Sequence, residues 1–135
     1  MPRSELLIPR DRSVVVAADV EASKFAELVK GTCLVEGIGG YKVGLELALE
    51  KGLPWVVGVV KEQTNLPVIY DHQKAGNDIP ATGMNFARVC KKSGIDAIIL
   101  FPFTSPTTEL QWIKESQDAG LIVLVGGHMT HEKFL

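Results

Sequence analysis

The chain has 135 residues, of which 46% are hydrophobic and 22% charged, and its net charge at pH 7 is −2. This composition predicts one globular domain over residues 1–135, because the length supports one core and is too short for two comfortable ones. The near-balanced charge, without a basic run, argues against nucleic acid or an anionic membrane as a partner. The longest apolar runs have the length of a strand, far below that of a membrane span.

Five apolar, β-branched runs recur along the chain at an almost constant interval. They begin at Val14, Tyr41, Val68, Ile95 and Leu121, so that successive starts differ by 27, 27, 27 and 26 positions. Most of the runs are continuous rather than alternating, which is typical of parallel strands buried on both faces. Segments with helical spacing separate them, and the alternation βαβαβαβαβ predicts right-handed crossovers and a parallel sheet.

Local signals mark several boundaries of these elements. Gly94 and Gly120 are expected to end helices, and Ser105 followed by Pro106 predicts an N-cap with proline at the first helical position. We interpret 37–40 (GIGG) as a flexible turn before the second strand. The two cysteines have no metal-type spacing, so we expect buried free thiols in a reducing cytoplasm, with a disulfide as the alternative.

Two α/β architectures fit this alternation. Five units make a complete open, doubly wound sheet, and the length favours that solution. A closed eight-stranded barrel of TIM type at the same period needs roughly 216 residues, so this chain would hold about five of its eight strands. The polar residues must decide between the two.

In both architectures, ligand-handling residues gather where the parallel strands end. Asp19 ends the first run and Asp71 the third. Lys42 differs in kind, because it lies inside the second strand among apolar neighbours. Its stem could pack while the ammonium group reaches water. A buried lysine, however, requires a carboxylate partner, and we favour that functional interpretation.

The densest group of charges is Asp71, Lys74 and Asp78, within eight positions. As a plain solvated loop, Asp78 or Asn77 would cap a helix that uses Pro80. That explanation suits Asp78 better than Asp71, which closes a buried strand. With Lys42 in reach, two carboxylates and two ammonium groups could alternate in one pocket that handles protons.

The remaining candidates carry weaker signals. Asp19 is as well explained by a turn as by a contact to a sugar hydroxyl. His128 and His131 are three positions apart, but no third ligand is evident, so we predict no metal site. No glycine fingerprint for phosphate is present, because GIGG precedes a strand rather than a helix.

These residues together resemble the orotidine 5′-phosphate decarboxylase family in its archaeal form. The resemblance runs in order through nearly the whole chain, and the lysine with the Asp-Lys-Asp set is its most specific part. Its signals are Asp19 after VVVAA, Lys42 in YKVG, the run 78–83 (DIPATG), the segment 93–100 (SGIDAIIL) and the run 128–131 (HMTH).

The resemblance implies a lyase that converts orotidine 5′-monophosphate to UMP in pyrimidine biosynthesis, without a metal or an organic cofactor. Lys42 and Asp71 would form the charged pair beside the reacting carbon. Lys74 would protonate the carbanion-like centre that remains when carbon dioxide departs. The family relies on such preorganised charges for catalysis.

The resemblance also implies roles in binding and assembly. Asp19 would bind a ribose hydroxyl, and Thr130 would touch the pyrimidine. Asp78, with Ile79 and Thr82, would reach into the site of a neighbouring subunit, which implies a homodimer with shared active sites.

The sequence departs from the family pattern in two ways. The usual motif is Asp-x-Lys-x-x-Asp, whereas here each gap is one residue longer, so that the loop must bulge for the charges to converge. The family fold is the eight-stranded barrel, whose late loops, with an arginine, grip the phosphate. These loops have no counterpart here, so that the sequence is truncated, a partner supplies them or the activity is lost.

Two rival functions remain. One is a magnesium-dependent sugar-phosphate decarboxylase of the same superfamily, which shares the barrel and the Asp-Lys-Asp logic. The other is a non-enzymatic, receiver-like signalling domain with Asp71 after its third strand and Thr104 after its fourth. The receiver explains neither Lys42 within a strand nor the single acidic residue, Asp19, after the first strand.

Overall fold

The computed structural model describes residues 6–8, 12–72, 75–128 and 131–133. Within these ranges strands and helices alternate as predicted, except that two helices follow the second strand. The strands are β1 (Val14–Ala18), β2 (Ile38–Val43), β3 (Val68–Asp71), β4 (Ala97–Leu100) and β5 (Ile122–Val125). The helices are α1 (Ala22–Thr32), α2 (Leu45–Lys51), α3 (Leu53–Gln63), α4 (Thr82–Lys92) and α5 (Pro106–Asp118).

The order of the strands decides between the two architectures. All five are parallel and lie in the order β1-β2-β3-β4-β5, so each strand is hydrogen-bonded to its neighbours in sequence. A doubly wound sheet reverses its order at a switch point, as receiver domains do. The open-sheet alternative is therefore wrong. The receiver-like function requires that open sheet, so the strand order argues against it as well. The structure is a TIM-barrel-type (βα) sheet with five of the eight strands of a complete barrel.

The helices cover one face of the sheet. The fully buried strand residues of the core include Tyr41 and Val43 of β2 and Val68 of β3, which pack with helical residues such as Phe25 and Val56. Burying side chains of this size stabilises the fold by roughly 1.5–3 kcal/mol each. Because side chains alternate along a strand, the residues between them point to the opposite face. We call this the inner face; it holds Lys42, Ile69, Asp71, Ala97 and Ile99.

Several boundary predictions are confirmed. Gly94 and Gly120 follow helices with φ values of 89° and 80°, which favour glycine. The Ser105 side chain accepts a hydrogen bond from the Thr108 amide, and Pro106 opens α5. Both cysteines are free thiols, but only Cys90 is buried, whereas Cys33 is partly exposed. Burial raises the pKa of Cys90 to about 12. No helix in the described ranges is long and apolar enough to cross a membrane.

The interpretation of 37–40 as a flexible turn is wrong for three of its four residues. Within this stretch only Gly37 has a positive φ, 88°. The strand β2 begins at the next residue, Ile38, and includes Gly39 and Gly40. A Cβ on Gly40 would lie 3.0 Å from the carbonyl oxygen of Pro67. These glycines therefore serve close packing of the backbone within a buried strand, where we expected flexibility.

Two helical glycines provide a matched test of this packing. A Cβ on Gly83 of α4 would lie 2.9 Å from Trp112 of α5, whereas a Cβ on Gly31 of α1 would meet nothing within 4 Å. We expect Gly83→Ala to lower the free energy of unfolding by about 1–3 kcal/mol and Gly31→Ala to raise it by about 0.5–1 kcal/mol. Urea denaturation followed by circular dichroism measures both. Equal effects of the two substitutions would contradict the close approach of α4 and α5.

Candidate active site

The centre of the candidate site is an ion pair on the inner face. Lys42 stands between two fully buried, helix-facing residues of β2, so its side chain points away from the helices. Lys42 pairs in register with Ile69 of β3, and Asp71 lies two residues further along the same face. The Lys42 Nζ donates a hydrogen bond of 3.0 Å to Asp71 Oδ2. The carboxylate partner that Lys42 requires is therefore Asp71, as predicted.

The Asp71 carboxylate is more enclosed than the lysine. Its side chain is 11% exposed, compared with 29% for Lys42. Asp71 Oδ1 is buried and has no hydrogen-bond partner among the residues that the structure describes. An unpaired carboxylate oxygen in such a place costs free energy. Positions that tolerate this cost are candidates for binding or chemistry.

Asp19 lies close to this pair, at the same edge of the sheet. It follows β1, is exposed, and approaches Gly44, the residue that joins β2 to α2. A Cβ on Gly44 would lie 3.3 Å from Asp19 Oδ1 and 4.0 Å from the Asp71 carbonyl oxygen. Asp19 Oδ1 and the backbone carbonyl of Asp71 thus both lie beside Gly44, which has no side chain.

Asp78 and its neighbours lie on the surface. Asp78 is exposed and Ile79 is 62% exposed. The Asp78 carboxylate accepts a hydrogen bond of 2.7 Å from the Ile79 amide, and the Thr82 hydroxyl donates to the Ile79 carbonyl. Within the described part of the chain Asp78 forms no ion pair with Lys42, whose partner is Asp71. The structure therefore does not bring it to the pair within one subunit.

The predicted capping of the fourth helix is wrong. The helix α4 begins at Thr82 rather than at Pro80, and its N-cap residue is Ala81, without a side-chain hydrogen bond. Asp78 does not cap it, because the amide bonded to its carboxylate is that of Ile79, which precedes the helix. The Asn77 side chain is directed to the loop between β4 and α5 instead.

Two predicted site residues, Lys74 and Thr130, lie outside the described residues. Of the two histidines after β5, both exposed, His131 contacts the carbonyl of the adjacent Glu132 through Nδ1. In the ranges given above, no three side chains of His, Cys, Asp or Glu are grouped to hold a metal ion.

Sequence reasoning missed the role of Asn77. Its side chain hydrogen-bonds to both Phe101 and Phe103 in the loop after β4. The preceding Gly76, with φ 92°, is the signal that could have indicated it, because a glycine before an asparagine marks a tight turn rather than a helix start.

The start of the loop between β3 and α4 is fixed by contacts between aromatic residues. The Tyr70 hydroxyl and His72 Nδ1 are 2.9 Å apart, and both rings lie beside Phe86 of α4. Burial, together with the nearby Cys90 and Asp71, raises the pKa of Tyr70 to about 12. The phenol therefore stays protonated at neutral pH and holds the residue that follows Asp71.

The fold and the ion pair define a TIM-barrel-type (βα) protein with a Lys–Asp centre at the carboxyl ends of its strands. No protein-family model and no curated protein matches the sequence. Among solved structures, the chain is similar to orotidine 5′-phosphate decarboxylase from Pyrococcus horikoshii OT3. The sequences are 26% identical, the TM-score is 0.67, and the match covers 90% of this chain and 56% of that one.

Two further structures have the same fold. Orotidine 5′-phosphate decarboxylase from Lactobacillus acidophilus is 24% identical with a TM-score of 0.67, and the match covers 89% of this chain and 55% of that one. An uncharacterized conserved protein from Geobacillus kaustophilus is 24% identical with a TM-score of 0.70, covering 89% and 56%. The resemblance predicted from the sequence is confirmed by structure, and this chain spans little more than half the length of these relatives.

Proposed function

We propose that the chain carries the decarboxylating centre of an orotidine 5′-monophosphate decarboxylase, which forms UMP for pyrimidine biosynthesis without a cofactor. The Lys42–Asp71 pair supports this proposal most directly, since it lies on the inner face of a fold shared with such enzymes. Electrostatic preorganisation of this kind is often the largest contribution to catalysis.

The chemistry proposed for the pair begins with the substrate carboxylate, which is placed beside Asp71. Two like charges at close range repel each other, and the repulsion is relieved when the bond from the pyrimidine carbon to the carboxylate breaks. The electron pair stays on that carbon as carbon dioxide leaves. The Lys74 ammonium group then donates a proton to the carbon and recovers one from water.

Lys42 holds the Asp71 carboxylate in place through this step. It uses one N–H for the 3.0 Å hydrogen bond, and an ammonium group has three donors. We assign the other two to hydroxyl groups of the nucleotide. The buried Asp71 Oδ1, unpaired among the described residues, is the oxygen assigned to face the reacting carboxylate.

The surrounding residues receive binding roles in the same proposal. Asp19 binds a ribose hydroxyl from its position beside Gly44, and Thr130 contacts the pyrimidine. Asp78, Ile79 and Thr82 contribute to the site of a second subunit in a cytoplasmic homodimer. The exposure of Asp78 and Ile79 within one chain supports this assignment, because residues that serve a partner must be accessible before assembly.

The assay for this function follows the loss of orotidine 5′-monophosphate absorbance. Because the match spans 56% of the Pyrococcus horikoshii chain, the assay is run on this chain alone and on this chain joined to the unmatched part of that enzyme. We expect turnover that is unchanged by a metal chelator. Inactivity in both forms contradicts the proposal, and chelator-sensitive turnover of a sugar phosphate supports the magnesium-dependent rival instead.

A further inference from the structure

The side chain of Asn77 joins the loop between β3 and α4 to the loop between β4 and α5. Asn77 Nδ2 donates to the Phe101 carbonyl at 2.6 Å, and Asn77 Oδ1 accepts from the Phe103 amide at 2.6 Å. A carbonyl must face the NH₂ group and an N–H must face the oxygen, so only one orientation of the amide satisfies both. Both the donor and the acceptor group of the Asn77 amide are therefore used at this position.

Backbone contacts reinforce the connection on either side of Asn77. The Phe101 amide donates to the Ala75 carbonyl at 2.9 Å, and the Thr104 hydroxyl donates to the Asn77 carbonyl at 3.0 Å. Gly76 packs so closely on Pro102 that a Cβ there would lie 3.2 Å from the proline Cβ. The two loops thus approach at van der Waals distance, with Asn77 at the centre of the contact.

Both acidic ends of the predicted charge cluster are therefore held by the same neighbouring segment. Asp71 pairs in register with Ile99 of β4. Asn77, the residue before Asp78, is bonded to Phe101 and Phe103, which follow β4 directly. The placement of Asp78 relative to Asp71 is set across the sheet by β4 and its loop, in addition to the chain that connects them.

We propose that Asn77 is a positioning residue, which sets the placement of Asp78 relative to Asp71 by fixing this loop to the segment after β4. This inference rests on the proposed function, in which Asp78 completes the site of a second subunit. A loop with longer gaps between its charges requires such a fixed point, because misplacement of a catalytic group by about 1 Å can cost about 100-fold in rate.

The test compares Asn77→Ala with Asn65→Ala, which makes the same change in an exposed asparagine before β3, at the opposite end of the sheet. Hydrogen exchange of the Phe101 amide reports the contact, because that amide bonds to Ala75 and not to Asn77 itself. We expect exchange at least about 10-fold faster in Asn77→Ala and unchanged in Asn65→Ala. Unchanged exchange in both variants would overturn the proposed clamp.

Kinetic measurements distinguish a positioning role of Asn77 from an effect on the stability of the protein. In the active form we expect Asn77→Ala to lower kcat about 100-fold with KM within about threefold. Thr104→Val is a milder variant that removes only the hydroxyl bond, and Thr104→Ser, which keeps it, is expected to retain the rate of the parent. Faster Phe101 exchange with unaltered kcat overturns the positioning role. An inactive parent protein contradicts the proposed function instead, so the two failures are distinguishable.

Discussion

Lys42→Met is expected to abolish decarboxylation and to lower the free energy of unfolding by about 3 kcal/mol. The substitution leaves the Asp71 carboxylate, 11% exposed, without its ion-pair partner. A buried charge without a partner is strongly destabilising, and the value lies at the lower end of the usual range because Lys42 itself is 29% exposed. Urea denaturation and the absorbance assay measure the two effects on the same preparation.

The double variant Lys42→Met/Asp71→Leu is expected to behave differently. Apolar side chains of similar volume often replace a buried ion pair at no cost, or stabilise the protein by about 1–4 kcal/mol. The double variant should therefore recover the stability lost in Lys42→Met while remaining inactive. That outcome would show that the pair is maintained for chemistry at the expense of stability.

The exposed pair of Lys114 and Asp118 on α5 provides the control. It has the same charges in an i, i+4 arrangement, with side chains 66% and 61% exposed. Lys114→Met should leave stability unchanged within error, since exposed pairs contribute little. Near-normal turnover in Lys42→Met would contradict the proposed mechanism. A double variant less stable than Lys42→Met would contradict the cost assigned to the buried charges.

Mixing two inactive variants is expected to restore activity. Lys74→Ala removes the proposed proton donor, and Asp78→Asn removes the carboxylate proposed to act in the partner's site. If subunits of the two variants exchange freely at equal concentration, half of the dimers are mixed, and each has one intact site. The mixture should then show about a quarter of the parent activity, measured after dissociation and reassociation.

A second mixture makes this test specific. Lys74→Ala combined with Asp71→Asn should stay inactive, because the proposal places both residues in the same subunit's contribution to the site. Activity in that mixture would mean that the assignment of residues to subunits is wrong. Failure of Lys74→Ala and Asp78→Asn to regain any turnover would count against the shared site.

The periodicity of the apolar runs was sufficient to predict the parallel strands. Continuous runs at intervals of 26 and 27 positions predicted parallel strands, and all five are present and parallel. Periodicity could not decide how the strands are ordered, because an open sheet and a barrel share the same local units. The resemblance carried most specifically by Lys42 and the Asp-Lys-Asp set predicted the barrel family, and the strand order agrees with it.

The errors share one physical cause, which is that contacts between distant segments override local signals. The glycines at 39 and 40 suggested a turn, yet packing against Ser13 and Pro67 places them in a strand. Asn77 suggested a helix cap, yet the loop after β4 offers its side chain both a carbonyl and an amide. No local propensity contains these partners, so sequence alone could not indicate them.

The contacts of Asn77 also bear on how such proteins are recognised in genomes. A motif written as fixed spacing assumes that the number of residues between two charges determines where they lie. Here the two ends of the loop are tied to nearby residues of one neighbouring strand and the loop after it, namely Ile99, Phe101 and Phe103. Insertions between Asp71 and Ala75 can therefore change the length of the loop and leave its ends in place. Patterns that allow variable gaps, anchored on the strand that follows, are the suitable means of finding relatives with loops of other lengths.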